Sequence, residues 1–177
     1  MEEKVKAPFW KQALIYGLIL GIVSVFLSLV VYFIGMSTKN WVGWISGAIG
    51  IALLVYLMIQ YRNVHLGGYA TFGQIFTIAL VAGIVSTIIS AAYSYILYTV
   101  IDPGLIDQIK IAAEEKIMNN SRIPESMYDD IFEKMEQRTT AVYIVKMALI
   151  MGPVMNAIIA LIIAAFIKKE EPINQAV

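Results

Sequence analysis

Lys146 and Asn156 are the residues whose chemistry is most out of place in this sequence, because both fall inside an apolar run covering residues 141–167. If that run crosses a bilayer, a lysine within it costs about 2.5–3.5 kcal/mol even on insertion scales. Two arrangements tolerate such a cost. In the simpler one, Lys146 lies only about 8 Å from the start of the run, so its four-carbon stem carries the ammonium to the interface or to a loop carboxylate. In the other, the cation lines a polar cavity for an anion. Asn156 brings an amide, which more often bonds a neighbouring helix than lines a pocket. Between the two, Gly152 and Pro153 remove a backbone donor and should kink the helix. The carbonyl of Leu149 then needs another partner, which Asn156 could supply.

A second polar group is the stretch Tyr61-Arg62-Asn63-Val64-His65-Leu66-Gly67-Gly68-Tyr69-Ala70-Thr71-Phe72-Gly73-Gln74. Gly67 and Gly68 suit a sharp turn, and Thr71 followed three residues later by Gln74 is a helix capping box. Arg62 and His65 are placed to meet lipid phosphate, although an ordinary solvated loop is the simpler account. Elsewhere the chemistry thins out. Zero cysteines and one histidine exclude disulfides, thiolate nucleophiles and most metal or triad arrangements. No paired carboxylates and no phosphate-binding loop appear, so no catalytic residue, metal or cofactor is expected, and no enzyme. Thirteen basic and thirteen acidic residues give a net charge of +0, without the basic excess that nucleic acid would attract.

The elements that position these residues follow from hydropathy. The 177 residues are 59% hydrophobic and 15% charged, with mean hydropathy +0.75, whereas soluble domains carry about a quarter charged residues. A hydrocarbon core about 30 Å thick needs about 20 apolar residues of helix, which satisfies its own backbone. Four runs qualify, at about residues 12–36, 41–60, 72–101 and 141–167. The fold class expected is all-α, a single membrane domain over 1–177 built as a four-helix bundle. Only Ser37 to Asn40 separate the first two spans, so these form an antiparallel hairpin, with Asn40 as the expected N-cap of the second.

Between the third and fourth spans the composition becomes that of a soluble protein. Asp102-Pro103-Gly104 ends span three. Leu105, Ile106, Ile109, Ala113 and Ile117 then recur at helical spacing. After the break at Asn119 to Arg122 and Pro124, the residues Met127, Tyr128, Ile131, Phe132 and Met135 form a second stripe opposite Asp129, Asp130, Glu133 and Glu136. An amphipathic hairpin over about 104–139 is expected, capping the bundle; its sharper alternative is an arm for a protein partner. With no Gly or Pro from Glu125 to Met151, its second helix is expected to run unbroken into span four.

Lipid gives membrane helices no hydrophobic drive to associate, so small residues mark where backbones approach. Span one has Gly17, Gly21, Ser24 and Ser28; span two Gly43, Gly47 and Gly50; span three Ala79, Gly83, Ser86 and Ser90; span four Gly152, Asn156, Ala160 and Ala164. Four such seams should satisfy one another within the chain, a homo-oligomer through a Gly-x-x-x-Gly face being the alternative. Tyr93, Tyr95, Tyr98, Trp41 and Trp44 at one end and Trp10 at the other fit aromatic belts.

Tyr16-Gly17, Arg62-Asn63, Gly67-Gly68, Thr71-Phe72-Gly73-Gln74-x-Phe76 and Asp102-Pro103 together resemble an uncharacterised bacterial family of small four-span membrane proteins, catalogued as a domain of unknown function. The resemblance covers nearly the whole chain. It implies a bacterial inner-membrane location and a single domain, marks Arg62, Gly67, Gly68, Thr71, Gly73 and Gln74 as a family-like inner loop, and brings no catalytic residue, substrate or cofactor.

The reading that follows is a non-enzymatic multi-pass inner-membrane protein, in contact with the bilayer, with a structural, accessory or interaction role. The alternative is a small transporter or channel component whose polar path uses Lys146 and Asn156. Basic residues number six on each side of the membrane, but Lys4, Lys6, Lys11, Arg62, Lys168 and Lys169 crowd into short segments, which places both termini inside, with span one retained as a signal anchor. Single cysteines at Ser37, Ser121 and Asn174 of this cysteine-free chain test that sidedness. In intact spheroplasts an impermeant thiol reagent should label the first two and spare the third; the reverse pattern would invert the topology.

Overall fold

Hydrocarbon forces each crossing segment to close its own backbone hydrogen bonds, and the computed structural model, which describes residues 9–170, does this with helices throughout. Among the described residues, four helical stretches are long and apolar enough to cross a membrane: Phe9–Phe33, Trp41–His65, Phe72–Ile101 and Ala141–Ile167. The element order is α1 (Phe9–Phe33), α2 (Asn40–Gln60), α3 (Phe72–Ile96), α4 (Leu105–Met118), α5 (Tyr128–Arg138) and α6 (Ala141–Ile167). α2 and α3 each run on into a wider π-helical turn, at Tyr61–His65 and Leu97–Ile101. Lys4 and Lys6, which bear on sidedness, and the labelling position Asn174 lie outside the described residues.

Local chemistry explains the ends. Gly35, at φ +68°, closes α1 with the paired bonds Met36 N to Val31 O and Gly35 N to Tyr32 O, the left-handed stop that glycine adopts without a Cβ penalty. α2 begins one residue earlier than expected: Lys39, in extended backbone and without a side-chain cap, occupies the N-cap position, and Asn40 is already helical. The Thr71–Gln74 capping box forms in full, with Thr71 N donating to Gln74 Oε1 at 2.9 Å and Gln74 N donating to Thr71 Oγ1 at 3.3 Å.

α3 is the hub of the bundle. It packs along α1 on one side and α6 on the other, whereas α2 rests mainly on α1 and only grazes α3 and α6. The close approach on the α1 side is made by glycine. A Cβ on Gly17 would come within 2.5 Å of Val85 Cβ and 2.9 Å of the Ala82 carbonyl oxygen, and one on Gly21 within 2.6 Å of Ile89. The dry core gathers in the half of the bundle nearest the 61–71 loop, where Tyr16, Leu20, Leu54, Met58, Ile75, Ile78, Ala160 and Ile163 are buried. Outward-facing positions such as Leu14, Leu18, Ile22 and Phe26 recur every four residues and stay exposed, a stripe suited to lipid.

Three expectations need correction. The helix entering span four does not run unbroken from the hairpin: Thr139 and Thr140 leave helical geometry, and the Thr140 hydroxyl accepts from Tyr143 N at 3.2 Å, so a side-chain cap ends the continuity where no Gly or Pro warned of it. The small-residue seam of α2 is not taken up inside the chain, for nothing lies within 4 Å of a Cβ built on Gly43, Gly47 or Gly50. Trp10, Trp41, Trp44 and Tyr95 are exposed as belt residues should be, but the Tyr93 hydroxyl is buried without a partner.

The hairpin itself is loosely held. α4 crosses the turn between α1 and α2, with Leu105 buried beneath it and shallow hollows left between Thr38 and Trp41 and the residues Ala112 to Asn119. α5 touches α4 and buries none of its residues.

Gly17→Ala should therefore lower stability by about 1–3 kcal/mol, the usual cost of overpacking against backbone and a β-branched side chain. Gly43→Ala, with open space around it, should be neutral or raise stability by up to about 1 kcal/mol through helix propensity. Reversible unfolding in mixed micelles measures both, and equal effects would contradict the packing described.

Candidate functional site

Midway along α3, Gly83 and Thr87 stand one helical turn apart, and midway along α6 so do Gly152 and Asn156. The helices run antiparallel, so each glycine faces the other helix's polar residue. A Cβ on Gly83 would fall 2.7 Å from Asn156 Cγ, and one on Gly152 would fall 2.6 Å from Thr87 Cγ2. Asn156 Nδ2 donates to Thr87 Oγ1 at 2.9 Å, and Thr87 Oγ1 donates to the Gly83 carbonyl at 3.0 Å. Each small residue makes room for a polar one, and the two polar ones satisfy each other across the helices. The Asn156 amide nitrogen thus serves Thr87 rather than turning back to the carbonyl of Leu149, while α6 stays helical through Pro153.

Beside this lock, and from it towards the hairpin end, the helices part. A cleft of about 430 Å³ opens between all four spans, within the range of about 300–1,000 Å³ usual for small-molecule sites. Leu20 and Ser24 come from α1, Gly47, Gly50, Ile51 and Leu54 from α2, and Ala148, Met151, Met155 and Ile159 from α6. α3 supplies a ladder, Ser86, Ser90 and Ser94, with Thr87 beside it. Among the described residues, Thr87 and Asn156 are the lining side chains hydrogen-bonded within the chain, and the four serines are not. No residue of the lining carries a formal charge.

The structure brings some of the sequence candidates together and separates others. Asn156 and Gly152 meet in the lock and line the cleft. Lys146 does not join them: it is exposed near the start of α6, outside the cleft lining, and forms no ion pair among the described residues. Its stem has an open run to the interface.

Arg62 is not simply solvated. Its Nη1 donates to the Ile167 carbonyl at 3.0 Å and its Nε to Asn63 Oδ1 at 3.1 Å, so a guanidinium caps the last turn of α6, where the helix dipole favours a cation. Gly67 and Gly68 turn the chain at φ +69° and +94°, and Gly68 N donates to the Arg62 carbonyl at 2.9 Å. Ala70 and Lys169 then pair through two backbone bonds of 2.8 and 2.9 Å, and Lys169 Nζ sits 5.3 Å from the centre of the Tyr69 ring. Gly73 is exposed and its carbonyl accepts from Thr77 Oγ1 at 2.7 Å. The loop thus acts as a clasp on the end of α6.

Thr87 and Ser94 escaped sequence reasoning because neither breaks the apolar pattern of span three. The signal for Thr87 lay in matched spacing, glycine followed four residues later by a hydrogen-bonding side chain in both span three and span four, and that for Ser94 in the four-residue repeat from Ser86 and Ser90.

A family model described as a protein of unknown function (DUF4199) matches residues 15–169. No curated protein and no solved structure matches the chain. The matched range takes in the clasp, the lock and every residue lining the cleft.

Proposed function

This chain belongs to the DUF4199 family of proteins of unknown function, and from that premise we propose a non-enzymatic multi-pass protein of the bacterial inner membrane that holds a membrane-borne partner. In this reading both termini are cytoplasmic and the α4–α5 hairpin lies outside. One observation carries it: the uncharged cleft between the four spans, bounded by packed core at the loop end and rimmed by exposed Ile51, Met151 and Met155 where α2 and α6 scarcely touch.

The lining supports binding over turnover. A serine becomes a nucleophile only beside a base, and general acid–base work needs a group that titrates. The cleft offers hydroxyls, one amide, methionines and aliphatic side chains, none of them such a group. It also supports an accessory role over transport, because Lys146, the cation within span four, stands apart from it.

A nitroxide attached to a cysteine replacing Met155 tests the reading in reconstituted protein. Relaxation by lipid-dissolved oxygen and protection from a water-soluble nickel chelate are expected of a cleft that faces hydrocarbon. Strong relaxation by the nickel chelate would point to an aqueous path and favour transport through Asn156. Substrate turnover lost on Asn156→Leu would overturn the non-enzymatic assignment.

A further inference from the structure

We propose that the cleft is a binding site for a neutral, single-chain lipid, with its acyl chain along the apolar wall and its uncharged oxygen groups on the serine ladder of α3. The proposal rests on the membrane-partner reading and names the chemical class of that partner.

Access comes first. α2 and α6 scarcely touch, and Ile51, Met151 and Met155 stand exposed at the rim between them. The mouth therefore opens sideways into hydrocarbon, and what enters arrives from the bilayer.

Volume then selects among membrane-borne molecules. A helix with its side chains is about 10–12 Å across and rises about 5.4 Å per turn, so a single turn fills about 400–600 Å³. The ladder from Ser86 to Ser94 spans eight residues, about 12 Å and more than two turns. A partner helix lying along it would need about two to three times the 430 Å³ present. At about 30 Å³ for each water-sized group, the same space suits a slender molecule of about 14 heavy atoms, the size of an acyl chain or most of one.

Chemistry sets the head group. Hydroxyls with no hydrogen bond inside the chain are costly at membrane depth unless something meets them, and Ser24, Ser86, Ser90 and Ser94 all face this space. They donate and accept equally, so they suit ester or hydroxyl oxygens. A carboxylate or phosphate would find no cation in the lining, and an ammonium no anion. A hydrocarbon without oxygen would leave the ladder unmet.

The test uses the full chain in phosphatidylcholine nanodiscs and a monoacylglycerol carrying a diazirine in its acyl chain. Crosslinks should map to the segments 47–54 and 148–159, and a tenfold excess of unlabelled monoacylglycerol should cut them about tenfold. Oleate at pH 8 and hexadecane should compete far less. Gly50→Leu, which places a side chain into the open space of the cleft, should abolish the labelling without changing the unfolding midpoint, and Gly43→Leu, outside the lining, should preserve it. Ser90→Ala with Ser94→Ala should weaken competition by monoacylglycerol about tenfold while leaving its hydrocarbon analogue unaffected, which gives a second readout should Gly50→Leu fail to fold. Equal competition by oleate or hexadecane would overturn the assignment of the head group. Labelling spread evenly over lipid-facing positions, or retained in Gly50→Leu, would overturn the site. If those results came with a Met155 nitroxide that still senses only oxygen, the lipid ligand would fall and the membrane-partner reading would stand; nickel access would remove both.

Discussion

Where α3 crosses α6 no water is at hand, and a polar side chain that found no partner there would carry its full desolvation cost, several kcal/mol. Asn156 and Thr87 answer this by bonding each other, and Gly83 and Gly152 make it sterically feasible by giving up their own side chains. The geometry is selective. A shift of α6 by one residue would set the asparagine against a side chain instead of the glycine and would break the 2.9 Å bond. One hydrogen bond of this kind contributes only about 0.6–2 kcal/mol in a membrane, so its larger consequence is register. It fixes which faces of α3 and α6 remain for other uses.

The rest of the architecture follows from that register. With α6 held on one flank of α3 and α1 held on the other by Gly17 and Gly21, α2 has no deep groove left to enter and lies mainly against α1. At the loop end, the Arg62 cap on α6, the Ala70–Lys169 pairing and the large side chains of Tyr16, Met58 and Ile75 draw the helices shut. At the hairpin end the residues that would fill the middle are glycine, serine and alanine, which have too little volume to do so. The same smallness that permits close crossing at Gly83 and Gly152 leaves a cleft where the fourth helix stands off.

Much of this was legible in the sequence, for physical reasons that differ from element to element. The four crossings announced themselves because hydrocarbon tolerates no charged face, and the Thr71–Gln74 cap because its two bonds are local to four residues. The seams of α1, α3 and α6 form contact faces at Gly17, Gly21, Gly83 and Gly152, since only small side chains let backbones meet, whereas Ser24, Ser86 and Ser90 of the same seams line the cleft. The seam of α2 misled for the same reason: small residues allow approach without compelling it, and whether a helix approaches depends on distant competition for the hub. Arg62 was equally opaque, because its partner is a backbone carbonyl 105 residues away. The stop at Thr139–Thr140 was hidden by a search for Gly and Pro, when a threonine hydroxyl was enough to cap a new helix.

The central claim is that α3 and α6 interlock at mid-membrane while α2 stands away from α6, and disulfide trapping in the cysteine-free chain tests it most directly. A Cβ on Gly152 lies 3.4 Å from that of Thr87, close to the separation of about 3.5–4.5 Å that a disulfide needs. Gly47, across the cleft, has nothing within 4 Å of its Cβ. Mild oxidation should therefore join Thr87→Cys to Gly152→Cys rapidly and almost completely, and leave Gly47→Cys with Met151→Cys unjoined. Rapid closure of the second pair, or failure of the first, would contradict this account of the bundle.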